Sequence, residues 1–189
     1  MKNKFIVTIF LIFLNFYSSQ IILAEEFIFE ISDLEITDNG NIYKGKNRGK
    51  IITDTQLELI SDNFEYKKKS NLLKTSGNVQ LFDSKNNISI NAETIIYFKD
   101  KDKISTIGKT SIKVSNNYTI EGHDLTLLMD KMILSSNKST TITDKNFNKY
   151  MLEKFSYFIN QEILKGENIE VLTNKNNLPN SDKFFIKIG

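Results

Sequence analysis

Apolar and polar residues alternate along most of the chain after Ala24. Apolar side chains at every second position are typical of strands that bury one face, and no stretch shows the 3.6-residue spacing of an amphipathic helix. The clearest pairs are Leu57/Leu59, Phe64/Tyr66, Val79/Leu81, Ile112/Val114 and Ile169/Val171. Polar, turn-forming clusters separate them at residues 38–41, 83–87, 99–103 and 115–117. The pattern predicts an all-β domain over residues 25–189.

The strands recur in units of about 30 residues. Five apolar residues begin the units, and each is followed two positions later by a second apolar residue; the pairs are Leu34/Ile36, Phe64/Tyr66, Ile95/Tyr97, Leu125/Leu127 and Phe155/Tyr157. A glycine lies near the middle of four units, at Gly45, Gly77, Gly108 and Gly166. Tandem similarity at a fixed spacing indicates stacked units that share one core.

The apolar positions change parity within each unit. Ile88 and Ile90 are even, whereas Ile95 and Tyr97 are odd. A slip of one residue would turn every following side chain to the opposite face of a sheet, so a bulge or sharp corner is expected at each change. Bent antiparallel strands stacked along an axis predict an elongated, twisted, half-open β-jelly roll.

The first 24 residues form a separate unit. Lys2 and Lys4 precede an apolar run over residues 5–14, and polar residues interrupt the apolar character before Ala24. We interpret residues 1–24 as a signal peptide for export, with an uncleaved membrane anchor as the alternative. Because this segment holds two lysines and no acid, residues 25–189 carry equal numbers of basic and acidic side chains.

Composition and motifs argue against catalysis and nucleic-acid binding. The chain has no cysteine and one histidine, His123, so it lacks a thiol nucleophile and a His-based metal site. Asp100 and Asp102 lie among lysines, without the apolar surroundings that raise the pKa of a general acid. No glycine-rich phosphate loop and no basic face occur. We therefore expect neither enzyme activity, nor a cofactor or metal, nor a nucleic-acid partner.

Four segments carry a resemblance to a known family. They are residues 61–66 (SDNFEY), 72–79 (LLKTSGNV), 92–97 (AETIIY) and 164–169 (LKGENI). In these segments an acidic residue precedes two apolar residues at alternate positions, and a strand with Gly-Asn-Val follows. This arrangement resembles the OstA-like family of lipopolysaccharide transport. That family includes LptA, the periplasmic part of LptC and the N-terminal periplasmic domain of LptD, and the chain looks most similar to the last. The resemblance extends over residues 27–189.

The resemblance implies a periplasmic carrier that is associated with the outer membrane and shields the acyl chains of lipid A in an apolar groove. It implies partnership with other jelly-roll proteins of lipopolysaccharide transport through end-to-end strand docking, and with outer-membrane assembly components. The terminal apolar segments would be the docking edges, namely Phe27, Ile28 and Phe29 at one end and Phe184, Phe185 and Ile186 at the other.

The groove would be lined by the two apolar residues that begin each unit: Leu34, Ile36, Phe64, Tyr66, Ile95, Tyr97, Leu125, Leu127, Phe155 and Tyr157. On the pattern alone these positions are core residues that pack against each other; the resemblance assigns them to the groove wall instead.

Three alternatives remain open from the sequence. The chain is a free-standing LptA-like protein or a fragment of LptD without its barrel. A β-solenoid that binds or cleaves polysaccharide also repeats, although the equivalent positions Glu65, Ile96, Thr126 and Ser156 supply no carboxylate cluster for cleavage. A passive structural module is the third.

Overall fold

The computed structural model of the protein describes residues 27–115, 117–174 and 184–188. The predicted signal peptide lies outside the described residues. The first nine strands are β1 (Phe27–Glu30), β2 (Asp33–Thr37), β3 (Ile42–Lys46), β4 (Gly49–Thr53), β5 (Leu57–Ser61), β6 (Asn63–Lys67), β7 (Leu72–Asp83), β8 (Ile88–Phe98) and β9 (Lys103–Val114). The remainder are β10 (Tyr118–His123), β11 (Thr126–Leu128), β12 (Ile133–Ser136), β13 (Thr140–Asp144), β14 (Lys149–Leu152), β15 (Lys154–Phe158), β16 (Ile163–Glu167), β17 (Ile169–Thr173) and β18 (Phe184–Ile188).

Antiparallel pairing joins these strands into one bent sheet with two layers. Layer 1 follows the order β1, β4, β5, residues 79–83 of β7, 88–92 of β8, 109–114 of β9, β10, β13, β14, β17 and β18. Layer 2 follows the order β2, β3, β6, residues 72–76 of β7, 94–98 of β8, 103–107 of β9, β11, β12, β15 and β16. The strands β7, β8 and β9 belong to both layers.

In the described part of the chain, the backbone joins the two layers along one side only. The chain passes between them at corners such as residues 61–63, 76–79 and 92–94, which form one long side of the molecule. The turns of each layer lie at the other ends of the strands. In layer 2 these are single 3-10 turns at Asp38–Gly40, Lys68–Ser70, Lys99–Lys101 and Ile159–Gln161, spaced at the predicted repeat. The architecture is the expected half-open β-jelly roll built from bent repeats, and the all-β prediction is confirmed.

The predicted bulges occur at the corners. In the pairing of β7 with β8 the register shifts between Ser76 and Val79, and in the pairing of β8 with β9 it shifts between Ala92 and Thr94. Gly77 and Gly108 adopt φ values of +79° and +83° at two corners, a conformation that favours glycine. Each shift turns the following residues inward, which explains the change of parity in the sequence.

An acidic residue at every second corner along the chain accepts a hydrogen bond from a neighbouring corner. Asp62 accepts bonds from Asn78 Nδ2 at 2.7 Å and from Arg48 Nη1 at 3.1 Å, and Asp124 accepts one from the Gly108 backbone N–H at 2.8 Å. The remaining corner acids are Asp33, Glu93 and Glu153, which accept bonds from Asn47, Lys109 and Asn168. These acids recur at the repeat spacing and tie consecutive bends together.

Two of the four mid-unit glycines are not at corners. Gly45 lies within β3 and Gly166 within β16, and both are positions where a side chain would point between the layers. A Cβ at Gly45 would overlap the ring of Phe64, and one at Gly166 would overlap Leu152. These glycines therefore make room for large neighbours in the interior.

Candidate functional site

The space between the layers is apolar along its whole length. Its fully buried aliphatic side chains come from both layers and include Ile51, Leu59, Leu81, Ile90, Ile112, Ile120, Leu73, Ile104 and Leu134. Apart from Asp83, the buried polar residues are threonines and serines. Within the described residues, every buried side-chain nitrogen or oxygen has a hydrogen-bond partner. The interior therefore presents hydrocarbon and satisfied hydroxyls rather than charge.

Eight of the ten predicted lining residues lie in this interior and are buried, with exposed fractions of at most 5%. They are Phe64, Tyr66, Ile95, Tyr97, Leu125, Leu127, Phe155 and Tyr157. In this structure they pack against side chains of the opposite layer and against each other. Their common inward direction was predicted from the period-two pattern, whereas contact with a lipid remains a prediction.

The other two predicted lining residues mark an open end. Leu34 and Ile36 lie on β2, opposite Gly45 and Tyr43 of β3, so they share the inward face. They are 39% and 53% exposed because β2 is the terminal strand of layer 2 among the described residues. The inward apolar surface is thus accessible from solvent at this end.

Aromatic rings fill the interior next to the open end. The Phe29 ring stacks on Tyr43 and on Phe64, with centroids 5.5 Å apart in both pairs, and Phe27 lies 4.4 Å from Tyr66. These contacts bring β1 of layer 1 against β3 and β6 of layer 2. Farther along, Tyr118 of layer 1 meets Tyr157 of layer 2 edge to face at 5.4 Å.

On the side opposite the corners, side chains of the turns join the two layers. Lys99, in a 3-10 turn of layer 2, has its Nζ 3.1 Å from a carboxylate oxygen of Asp54 in the β4–β5 turn of layer 1. The same Nζ lies 5.5 Å from the centre of the Phe27 ring. Tyr97 of layer 2 approaches Thr55 in that turn, and both side chains line the same cavity. We refer to these contacts of Lys99 and Tyr97 as the clasp.

A cavity of about 160 Å³ adjoins the clasp. Leu57 and Tyr97, which are both buried in the core, contribute to its lining, and Met129 contributes from the next layer-2 turn. Its polar lining comes from the turns of both layers, namely Thr55, Asp83, Lys85, Asn86, Asp102 and Asp130. The cavity therefore leads from the polar turns to the apolar interior.

The surroundings of the interior tyrosines shift their pKa values. Burial raises the pKa of Tyr97 to about 12, and the charge of Asp102 acts in the same direction, while the nearby Thr55 side chain opposes them. Burial also raises the pKa of Tyr157 to about 12. Both hydroxyls therefore stay protonated and uncharged at neutral pH.

The predicted docking segments lie at the two ends of layer 1. Phe27 and Phe29 point inward from β1, and Ile28 points outward and is 53% exposed. The segment with Phe184, Phe185 and Ile186 forms β18, which pairs with β17 at the opposite end. The sequence analysis did not assign β2 and β16, the terminal strands of layer 2 among the described residues, as docking edges, because it considered only the two ends of the chain.

The described residues offer no group of three or more histidine, cysteine, aspartate or glutamate side chains placed to hold a metal ion. His123 is exposed at the end of β10, and Asp100 accepts a hydrogen bond from Asn71 within the turn region. In the same part of the chain, no helix has the length and apolar character needed to cross a membrane.

The pairing of strands also bears on the β-solenoid alternative, which would be a parallel β-helix. All strand pairs given above are antiparallel, so a parallel β-helix does not describe the fold. The positions Glu65, Ile96, Thr126 and Ser156, which were compared as possible catalytic positions, lie on the outward face of layer 2.

The fold and interior define a two-layered β-jelly roll with an apolar centre. No protein-family model matches the chain, and no curated protein does. Among solved structures it is similar to LptH, the LptA-homologous periplasmic component of the lipopolysaccharide transport device from Pseudomonas aeruginosa. The two chains are 10% identical, the match covers 86% of this chain and 93% of LptH, and the TM-score is 0.44.

Proposed function

We propose that this chain is a periplasmic, non-catalytic carrier of lipopolysaccharide, which takes the acyl chains of lipid A between its two layers. The observation that supports the proposal is the layer arrangement. The layers are joined at the corners and carry inward apolar residues in every repeat, whereas among the described residues only side chains connect them on the opposite side. Such a body can open along one side without losing its strand pairing.

Energetics favour hydrocarbon as the cargo. Each methylene removed from water contributes about 0.8 kcal/mol, so several sheltered acyl carbons give useful binding without directional bonds. An interior whose buried polar groups are already satisfied offers no fixed point that would hold a charged cargo. Lipid could therefore slide from one repeat to the next, which suits transport rather than storage.

The free ends suggest how several carriers connect. At one end β1 and β2 each have a described partner on one side only, β4 and β3, and at the other end β18 and β16 are terminal. Unpaired edges accept strands of a partner. We infer end-to-end docking with other lipopolysaccharide-transport jelly rolls and with outer-membrane assembly components. A photo-crosslinker at Ile28 should then capture such a partner, and capture at the outward Glu121 in mid-sheet should be absent.

Matched inward and outward positions test the carrier proposal. A photo-crosslinking phenylalanine analogue would replace Leu127, which faces inward, or Thr126, the outward neighbour on the same strand. A second pair is Phe64 and Glu65. After incubation with lipopolysaccharide and illumination, adducts are expected from Leu127 and Phe64 and not from their neighbours.

Other labelling patterns would contradict the proposal. Adducts from the outward positions alone would favour polysaccharide binding on the outer face of layer 2. Equal labelling of both members of each pair, or none at all, would favour a passive structural module.

A further inference from the structure

The closed interior poses a problem for a carrier, because its side chains already fill the space between the layers. Phe64, Tyr97 and Leu127 are each at most 5% exposed. Away from the accessible end at Leu34 and Ile36, hydrocarbon can enter only if the layers separate. The corner side cannot supply that movement, since β7, β8 and β9 run through it without a break.

We propose that the clasp gates the interior and that hydrocarbon enters through the cavity beside it. This inference rests on the carrier proposal and names the gate of that same interior. The side of the molecule opposite the corners is called the open side below. There Lys99 reaches to Asp54 and Phe27, and Tyr97 reaches to Thr55. Breaking these contacts frees the layer-2 turn that contains Lys99 from the β4–β5 turn of layer 1.

The place of the clasp along the open side supports this role. The remaining ion pairs between described residues lie within one layer or at a corner, namely Lys50–Glu30, Lys67–Glu65, Lys69–Asp38, Lys154–Glu167, Arg48–Asp62 and Lys138–Asp124. At the next layer-2 turn, the residue equivalent to Lys99 is Met129, which is apolar and lines the cavity. The polar clasp therefore lies directly beside a cavity whose apolar lining is supplied by Leu57, Tyr97 and Met129.

The strength of the clasp suits a gate. The Asp54 side chain is 45% exposed and that of Lys99 is 16% exposed, so water and salt weaken their attraction. An ion pair of this kind stabilises a closed form without locking it. Opening at the clasp would uncover Leu57, Tyr97 and Met129 together, which is a continuous path from the turns to the core.

A reversible cross-link tests the gate. The chain has no cysteine, so the pair Asp54→Cys and Lys99→Cys would provide the two attachment points for a bifunctional methanethiosulfonate reagent. The control pair is Asp38→Cys and Lys69→Cys, an exposed ion pair within layer 2. Loading of lipopolysaccharide with a fluorescent acyl chain would be followed by stopped flow. The cross-link at 54 and 99 should slow loading at least tenfold, a reductant should restore it, and the control cross-link should leave it unchanged.

Charge variants give a second measurement that does not depend on the cross-link. Asp54→Ala should accelerate loading several-fold, and the exchange Asp54→Lys with Lys99→Asp should return the rate toward that of the native chain. Added salt should accelerate the native chain and not Asp54→Ala.

The outcomes separate the gate from the carrier proposal. If lipid binds at equilibrium but the cross-link and charge variants leave the loading rate unchanged, the gate is wrong and the carrier stands. If no form binds lipid with or without the reductant, the carrier proposal fails and the gate with it.

Discussion

The two long sides of the molecule differ in what holds the layers together. On the corner side, continuous strands, left-handed glycines and a series of acid–amide hydrogen bonds connect the layers. On the open side the connection consists of side chains, chiefly Lys99 with Asp54 and Tyr97 with Thr55. The backbone therefore connects the layers on one side, whereas on the other side the clasp and the packing of the interior side chains hold them together. Substitutions on the corner side should therefore lower the stability of the fold, whereas substitutions on the open side should mainly affect opening of the layers.

The largest effect is expected at a corner glycine. Gly77 has φ +79°, and a Cβ there would lie 2.8 Å from Asp62 Oδ2. Gly77→Val should lower the free energy of unfolding by about 3 kcal/mol, because a β-branched residue is strained in this conformation and displaces the Asp62 carboxylate. Urea unfolding followed by far-UV circular dichroism measures the change.

Gly40 supplies the matched control for this substitution. It has φ +84°, but a Cβ there meets no atom within 4 Å. Gly40→Val should therefore cost only the backbone strain, about 1–2 kcal/mol. Equal losses at Gly40 and Gly77 would mean that crowding at the corner adds nothing.

Substitution of one aspartate on each side of the molecule should change the stability by intermediate and unequal amounts. Asp62→Ala removes hydrogen bonds to Asn78 and Arg48 at a corner and should destabilise the fold by about 1–2 kcal/mol. Asp54→Ala removes the clasp ion pair and should change stability by at most about 0.5 kcal/mol. Thermal and urea unfolding of both variants tests the contrast. A loss at Asp54 as large as that at Asp62 would contradict the view that the open side is weakly held.

A further effect is expected at alkaline pH, where the interior should weaken. In the folded state the pKa of Tyr97 is about 12, above the ordinary value of 10, so the folded chain holds this proton more tightly than the unfolded chain. The resulting stability is complete below pH 10 and is lost as the pH rises through 12. Between pH 9 and pH 11 the loss from Tyr97 should be about 1 kcal/mol, a slope that Tyr97→Phe should reduce. An unchanged slope in that variant would rule out the attribution to Tyr97.

Much of the fold was predictable because the corners leave a trace in the sequence. The change of parity between Ile90 and Ile95 predicted the bulge that the structure has between Ala92 and Thr94. The repeat of apolar pairs predicted which residues point between the layers, and Phe64, Ile95 and Leu125 are buried as core residues should be. The alternation of apolar and polar residues and the positions of turns depend on neighbouring residues, so both can be predicted from the sequence.

Contacts between distant turns left no comparable trace. Lys99 and Asp54 lie 45 positions apart in polar turns, and no local pattern distinguishes them from Lys69 or Asp100. The exposure of Leu34 and Ile36 also follows from the end of a layer rather than from their own alternation, which matches that of the buried pairs. The role of Gly45 was not predictable either, because the sequence does not reveal that the Phe64 ring lies where a side chain at position 45 would be.

The repeat makes the length of the interior adjustable in fixed steps. Each unit of about 30 residues adds two strands to each layer, and strands lie about 4.8 Å apart, so one unit corresponds to about 10 Å. Excision of residues 95–124 would bring Leu125 directly after Thr94, into the register that Ile95 occupies. Duplication or deletion of whole units could therefore lengthen or shorten the interior while every remaining bend keeps its register.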